Sequence, residues 1–158
     1  MKLRILAVGR LKEDYLRAAA ADYTARIKPY AQIEVVEVAG LRDPARLSSA
    51  AIERVKDEEA AALLGRVLPG EILVALDQEG RKLDSEGFAR FLKGHEESGS
   101  RLALAVGGSW GFGRAVLERA SLSLSLSPMT FPHGLARVIL LEQIYRAFRI
   151  IRGEKYHK

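Results

Sequence analysis

The sequence predicts an α/β fold: a mostly parallel sheet with helices on both faces. Three observations carry that expectation. Short apolar runs alternate with longer stretches of helical period in the order βαβαβαβαβα, the pattern of parallel strands joined by crossover helices. Residues 72–76 (ILVAL) and 102–106 (LALAV) are apolar at every position, as suits strands covered on both faces. Glycine or proline stands at most of the junctions.

The elements follow in order. Residues 3–8 (LRILAV) read as a buried strand ended by Gly9. Leu16, Ala20, Tyr23 and Ile27 then fall on one face of a helix that Pro29 brings to an end. Residues 33–38 (IEVVEV) are β-rich, with Ile33, Val35 and Glu37 on one face, and Gly40 to Pro44 is a loop. A second helix runs from about Ser48 to Leu64, with Ser48 or Ser49 as N-cap and Gly65 at its close. After the strand 72–76, Asp84 caps a third helix that groups Phe88, Phe91 and Leu92. The strand 102–106 enters a glycine-rich loop (Gly107, Gly108, Gly111, Gly113) and a short helix with Val116, Leu117 and Ala120 inward. Residues 121–127 (SLSLSLS) alternate strictly, which predicts a strand with one wet face. Pro128 and Pro132 stiffen the next loop, and a long helix spans about Leu135 to Ile151. No linker, repeat or low-complexity stretch divides the chain, so one domain is expected.

The 158 residues are 48% hydrophobic and 28% charged, enough for a core without staples. Cysteine is absent, which excludes disulfides and thiolate chemistry. His95, His133 and His157 are too far apart for a paired-histidine zinc site, and no acidic metal cluster stands out. No apolar run reaches the length of a bilayer span and no leader opens the chain, so a soluble, cytoplasmic protein is the expectation. The net charge is +5, and its distribution is uneven. Between His133 and Lys158 six basic residues face only Glu142 and Glu154, so that segment holds four of the five excess charges. Such a segment favours a polyanion, although a solvated helix face explains the same charges.

In open α/β sheets ligands bind beyond the carboxyl ends of the strands. That singles out the loops after Leu76, Val106 and Leu126. Glycines let a ligand approach the backbone, or else they only make a tight turn. Neither dinucleotide nor P-loop spacing is present. Gly107-x-Ser109-x-Gly111 does match the nucleophile elbow of serine hydrolases. No aspartate follows Asp84, however, and no upstream oxyanion stretch accompanies the match, so a hydrolase is a remote alternative. The third loop offers Met129 and Phe131 as apolar walls and Thr130 as a polar group, a mixture suited to an adenine ring or a thioether. A rigid packing turn is the plainer account. The last helix is apolar on more than one side, which points to a subunit interface. Arg146 can simply pair with Glu142 one turn away. The terminal Tyr156, His157 and Lys158 can stack on a base and hold phosphate.

These pieces occur together in one family. MKLRILAVGRLKEDY, VALDQEG, VGGSWGFG and above all SLSPMTFPHGLARVILLEQIYRAF with RGEKYHK resemble the small SPOUT-superfamily methyltransferases that act on N3 of a ribosomal RNA pseudouridine, over the whole chain. The resemblance implies a C-terminal trefoil knot, a rare exception to unknotted folding. It implies S-adenosylmethionine as cofactor, held by Leu76, Gly107, Leu126, Ser127, Pro128, Met129, Thr130 and Phe131. It implies a homodimer whose active site uses both chains. The substrate would be the 23S RNA of the large subunit, on assembled ribosomes, with neither membrane nor DNA as partner. Lys158 stands where some relatives have arginine, which keeps the cation and loses the fork.

For chemistry, positioning the methyl donor in line with the nitrogen supplies much of the rate. The N3 proton must leave, and His133, His157, Tyr156 and water are the candidate acceptors, with none singled out. Arg137 and Arg146 are placed to steady an anionic base or grip phosphate. The catalytic set is therefore His133, Arg146, Tyr156 and His157, and the RNA-binding set Arg137, Arg152, Lys155 and Lys158. A SPOUT enzyme acting on a ribose hydroxyl and a ribosome binder without catalysis are the other readings.

Overall fold

The computed structural model describes residues 1–42 and 48–156. Ten elements alternate as the sequence predicts: β1 (Lys2–Val8), α1 (Asp14–Ile27), β2 (Gln32–Val38), α2 (Ser49–Leu64), β3 (Glu71–Lys82), α3 (Ser85–Glu97), β4 (Arg101–Val106), α4 (Arg114–Arg119), β5 (Leu122–Ser125) and α5 (His133–Ile151). The strands form one five-stranded sheet in the order β2-β1-β4-β3-β5, and every pairing is parallel. All strands therefore end at the same edge of the sheet.

Alternation along β1 sorts the core into two layers. Leu3, Ile5 and Ala7 pack with Ile27, Phe88, Leu140, Ile144 and Phe148 under α1, α3 and α5. Leu6 and Val8 pack with Ala60, Leu63 and Val116 under α2 and α4. Caps behave as the side chains dictate. Ser48 accepts a hydrogen bond from the Ala51 amide, and Asp84 Oδ1 accepts one from the Gly87 amide at 2.6 Å.

Two expectations are corrected. β3 does not stop at Leu76 but runs on through an irregular stretch to Arg81 and Lys82, which pair with β5 again. β5 is shorter than residues 121–127, and its consecutive Leu124 and Ser125 are both buried, so neither face is wet there. Ser125 tolerates burial because its hydroxyl donates to the Ser127 carbonyl at 3.1 Å. α5 lays one face on the sheet. Leu140, Leu141, Ile144, Ala147 and Phe148 fill the core, whereas Leu135 is exposed and Val138 and Ile139 are half-buried.

Candidate functional site

The register of the sheet assembles the site. Leu76 stands opposite Val106 on β4 and opposite Leu124 on β5. Gly107 follows Val106, and Leu126 to Phe131 lead from β5 into α5. The three segments expected to hold a cofactor thus come to one end of the sheet.

The segment 126–131 is held in shape from two directions. Ser127 Oγ accepts the Met129 amide at 3.0 Å. Gln78, in the irregular stretch of β3, reaches across: its Nε2 donates to the Pro128 carbonyl at 2.8 Å and its Oε1 accepts from Thr130 Oγ1 at 3.5 Å. Sequence reasoning missed Gln78. Its only signal was membership of the VALDQEG segment, from which Leu76 alone was taken. A cavity of about 520 Å³ opens beside this loop, its wall including Leu83, Asp84, Glu86, Leu126, Ile139 and Gln143. That is within the range of about 300–1,000 Å³ typical of small-molecule sites. Its walls mix apolar side chains with Asp84, which caps α3, and Glu86, which pairs with Arg90. Of the residues expected to hold the cofactor, Leu126 lines this cavity. Met129, in the same segment, is 73% exposed.

The glycine loop answers first to its own packing. A Cβ on Gly107 would lie 3.2 Å from the Gly111 backbone, and one on Gly108 would lie 2.5 Å from Glu59 Oε2. Gly111 has φ +78°, and a Cβ on Gly113 would lie 2.6 Å from the Lys56 carbonyl oxygen. These glycines let the loop fold on itself and against α2, which is a sufficient reason for them without a ligand. Ser109 is not a nucleophile elbow. The elbow is a strained turn running straight into a helix. Among the described residues no residue other than glycine has positive φ, and α4 begins only at Arg114.

Most cations of the C-terminal segment are already engaged. Arg137 is 1% exposed; its guanidinium meets Glu37 Oε1 at 2.6 Å and the Gly9 carbonyl at 2.8 Å. The expected phosphate contact is corrected: Arg137 ties α5 to the ends of β1 and β2, out of reach of RNA. Arg146 pairs with Glu142 at 2.6 Å, Arg149 with Glu154 at 2.7 Å, and Arg152 with Glu96 at 2.7 Å. Lys155 is exposed. His157 and Lys158 lie outside the described residues.

Tyr156 packs edge-on against Tyr145, and the Arg146 guanidinium covers its ring 4.8 Å from the centroid. Its hydroxyl donates to Glu142 Oε1 at 3.2 Å. Desolvation first, then a hydrogen bond with Tyr23 and the Glu142 charge, push the phenol up to about 12. Tyr156 therefore keeps its proton at neutral pH and serves as a donor to Glu142. The Glu142 hydrogen bond likewise raises Arg146, which stays charged. His133 opens α5 directly after the candidate loop, and its Nε2 would lie 3.9 Å from a Cβ built on Gly9. Among the described residues no group of three His, Asp or Glu side chains is placed to hold a metal, and no helix is long and apolar enough to cross a membrane.

Known proteins resemble this chain in sequence and in fold. A family model described as "Predicted SPOUT methyltransferase" covers residues 1–157. A relative from Carboxydothermus hydrogenoformans named ribosomal RNA large subunit methyltransferase H is 48% identical over 159 residues, covering 100% of both chains. A Legionella pneumophila structure described as a methyltransferase with bound SAM superposes with a TM-score of 0.51 at 11% identity. The match covers 93% of this chain and 66% of that one, a likeness of fold.

Proposed function

The chain belongs to the SPOUT methyltransferase family, and from that premise we propose that it transfers the methyl group of S-adenosylmethionine to N3 of a pseudouridine in 23S RNA of the large ribosomal subunit. The full-length identity to a relative named for large-subunit RNA methylation carries this reading. It acts in the cytoplasm on assembled ribosomes, as one domain per chain, and neither DNA nor membrane enters the reaction.

When bound, the cofactor supplies a methyl group on a sulfonium, with no need of metal. The protein's own residues do the rest. Leu76, Gly107 and the segment Leu126 to Phe131 form the cradle, and Gln78 holds Pro128 and Thr130 in place so that the cradle is set before a ligand arrives. His133, at the head of α5, takes the N3 proton. Arg146, fixed by Glu142 and stacked on Tyr156, steadies the negative charge that remains on the base. The enzyme is a homodimer. Support for that comes from the outward face of α5, where Leu135 is exposed and Val138 and Ile139 are half-buried. The trefoil threading implied by the family resemblance belongs to the same proposal.

The test is nucleoside mass spectrometry of large subunits incubated with the protein and labelled S-adenosylmethionine. N3-methylpseudouridine is the expected product. Label on a ribose hydroxyl, or none, overturns the reading. His133→Gln should lower kcat by about 10²-fold, in the range for loss of a general base, with cofactor affinity kept.

A further inference from the structure

The C-terminal cations that the charge distribution nominates for RNA are largely neutralised by Glu37, Glu142, Glu154 and Glu96. Exposed cations without an ion pair stand elsewhere on the same edge of the sheet. Arg10 and Lys12 lie on the loop between β1 and α1, and Arg42 lies on the chain leaving β2; all three are exposed. None of them makes an ion pair or a side-chain hydrogen bond among the described residues.

These two stretches form one surface. A Cβ on Gly40 would lie 3.3 Å from Gly9 Cα, so the chain leaving β2 runs against the start of the β1–α1 loop. His133 is also close: its Nε2 would lie 3.9 Å from a Cβ on Gly9. The loop is also held rigid. Leu11 is buried, and Arg17 donates to the carbonyls of Leu11 and Lys12 at 2.9 and 2.6 Å. Arg17 itself is consumed by those carbonyls and by Asp14. Tyr15, on the first turn of α1, is 71% exposed with its ring toward water. A fixed loop with two unpaired cations beside an exposed aromatic ring has the chemistry of a nucleic-acid grip: charge for phosphate and a face for a base.

We propose that Arg10 and Lys12, with Arg42 beside them, bind the phosphate backbone of the RNA next to its target base. This rests on the reading that RNA is the substrate. It moves the grip from the C-terminal helix to the first loop of the chain, adjacent to His133.

The experiment is methyl transfer to large subunits over a series of salt concentrations, with wild type, Arg10→Gln/Lys12→Gln, and a control pair Lys2→Gln/Arg101→Gln. The control residues are exposed, lack ion pairs and sit at the opposite edge of the sheet, so they remove the same charge from the wrong place. Two lost phosphate contacts should raise KM for the subunit about tenfold and flatten the slope of log(kcat/KM) against log[salt] by about 1.5. Saturating kcat and S-adenosylmethionine affinity should match wild type, and the control pair should match wild type throughout. An active wild type whose KM and salt slope are shared by Arg10→Gln/Lys12→Gln overturns the inference alone, as does a control pair that loses as much. A wild type inert on the subunit overturns the RNA reading and this inference with it.

Discussion

At its N-terminal end α5 meets the sheet through Arg137, which is out of water and bonded to Glu37 and the carbonyls of Gly9 and Val8. At its C-terminal end Arg146, Arg149 and Arg152 make pairs that solvent still reaches. The distances are alike, from 2.6 to 2.7 Å, so geometry does not separate the two ends. Burial does. A guanidinium taken out of water must keep all its partners, because losing one leaves an uncompensated charge, whereas an exposed pair trades its partner for water. The N-terminal end therefore sets where the helix sits, and the C-terminal end sets how much charge it shows.

The largest effect should come from Glu37→Leu, which strands the Arg137 guanidinium. The guanidinium is buried but the Glu37 carboxylate is 34% exposed, so water takes up part of the loss and the expected cost is about 2 kcal/mol, readable in urea denaturation. Methyl transfer should fall with it, since α5 carries His133. The double variant Glu37→Leu/Arg137→Met removes both charges and should recover about half of that loss, leaving about 1 kcal/mol. A double variant as unstable as the single one would show that the carbonyl contacts, and not the charge, are what matter.

Next comes Tyr156→Phe, which keeps the ring over Tyr145 and deletes the hydrogen bond to Glu142. The expected cost is about 1 kcal/mol. The phenol also gives a pH signature. Its pKa is raised in the fold to about 12 from an unfolded value of 10.0, so its contribution is complete below pH 10 and is lost as pH rises toward 12. Wild type should thus lose stability more steeply than Tyr156→Phe across that window, and parallel curves would refute the assignment. The smallest effect belongs to Arg152→Gln. An exposed pair with Glu96 is worth under about 0.5 kcal/mol, and less in high salt. A loss of several times that would break the distinction between the two ends.

Local pattern made much of this legible. The apolar runs 3–8, 72–76 and 102–106 needed no knowledge of their neighbours to be recognised as strands, because both faces are covered. Ser48 and Asp84 announced their helices through side chains that act within one turn. What stayed hidden depends on distant partners. Glu37 and Arg137 are 100 residues apart, so a lone arginine on a helix read as a surface cation. The chain after Leu76 reads as a loop, and only pairing with β5 makes Arg81 and Lys82 a strand. Gln78 looked like part of that loop because its acceptor, Pro128, is 50 residues away. The SLSLSLS alternation was real, but β5 is buried at Leu124 and Ser125 by elements that its own sequence does not mention.

The first and last helices of the chain are neighbours. α1 packs against α5, Tyr30 stacks on Phe148 with ring centroids 5.7 Å apart, and its hydroxyl donates to Glu154 at 2.7 Å. The layer over Leu3, Ile5 and Ala7 is therefore closed by residues that lie far later in the chain. A nascent chain must carry that apolar face uncovered until α5 has left the exit tunnel. Contacts of such long sequence separation slow folding, and exposed sheet faces invite association in the interval. The interval before α5 docks is thus when this sheet face is open to association.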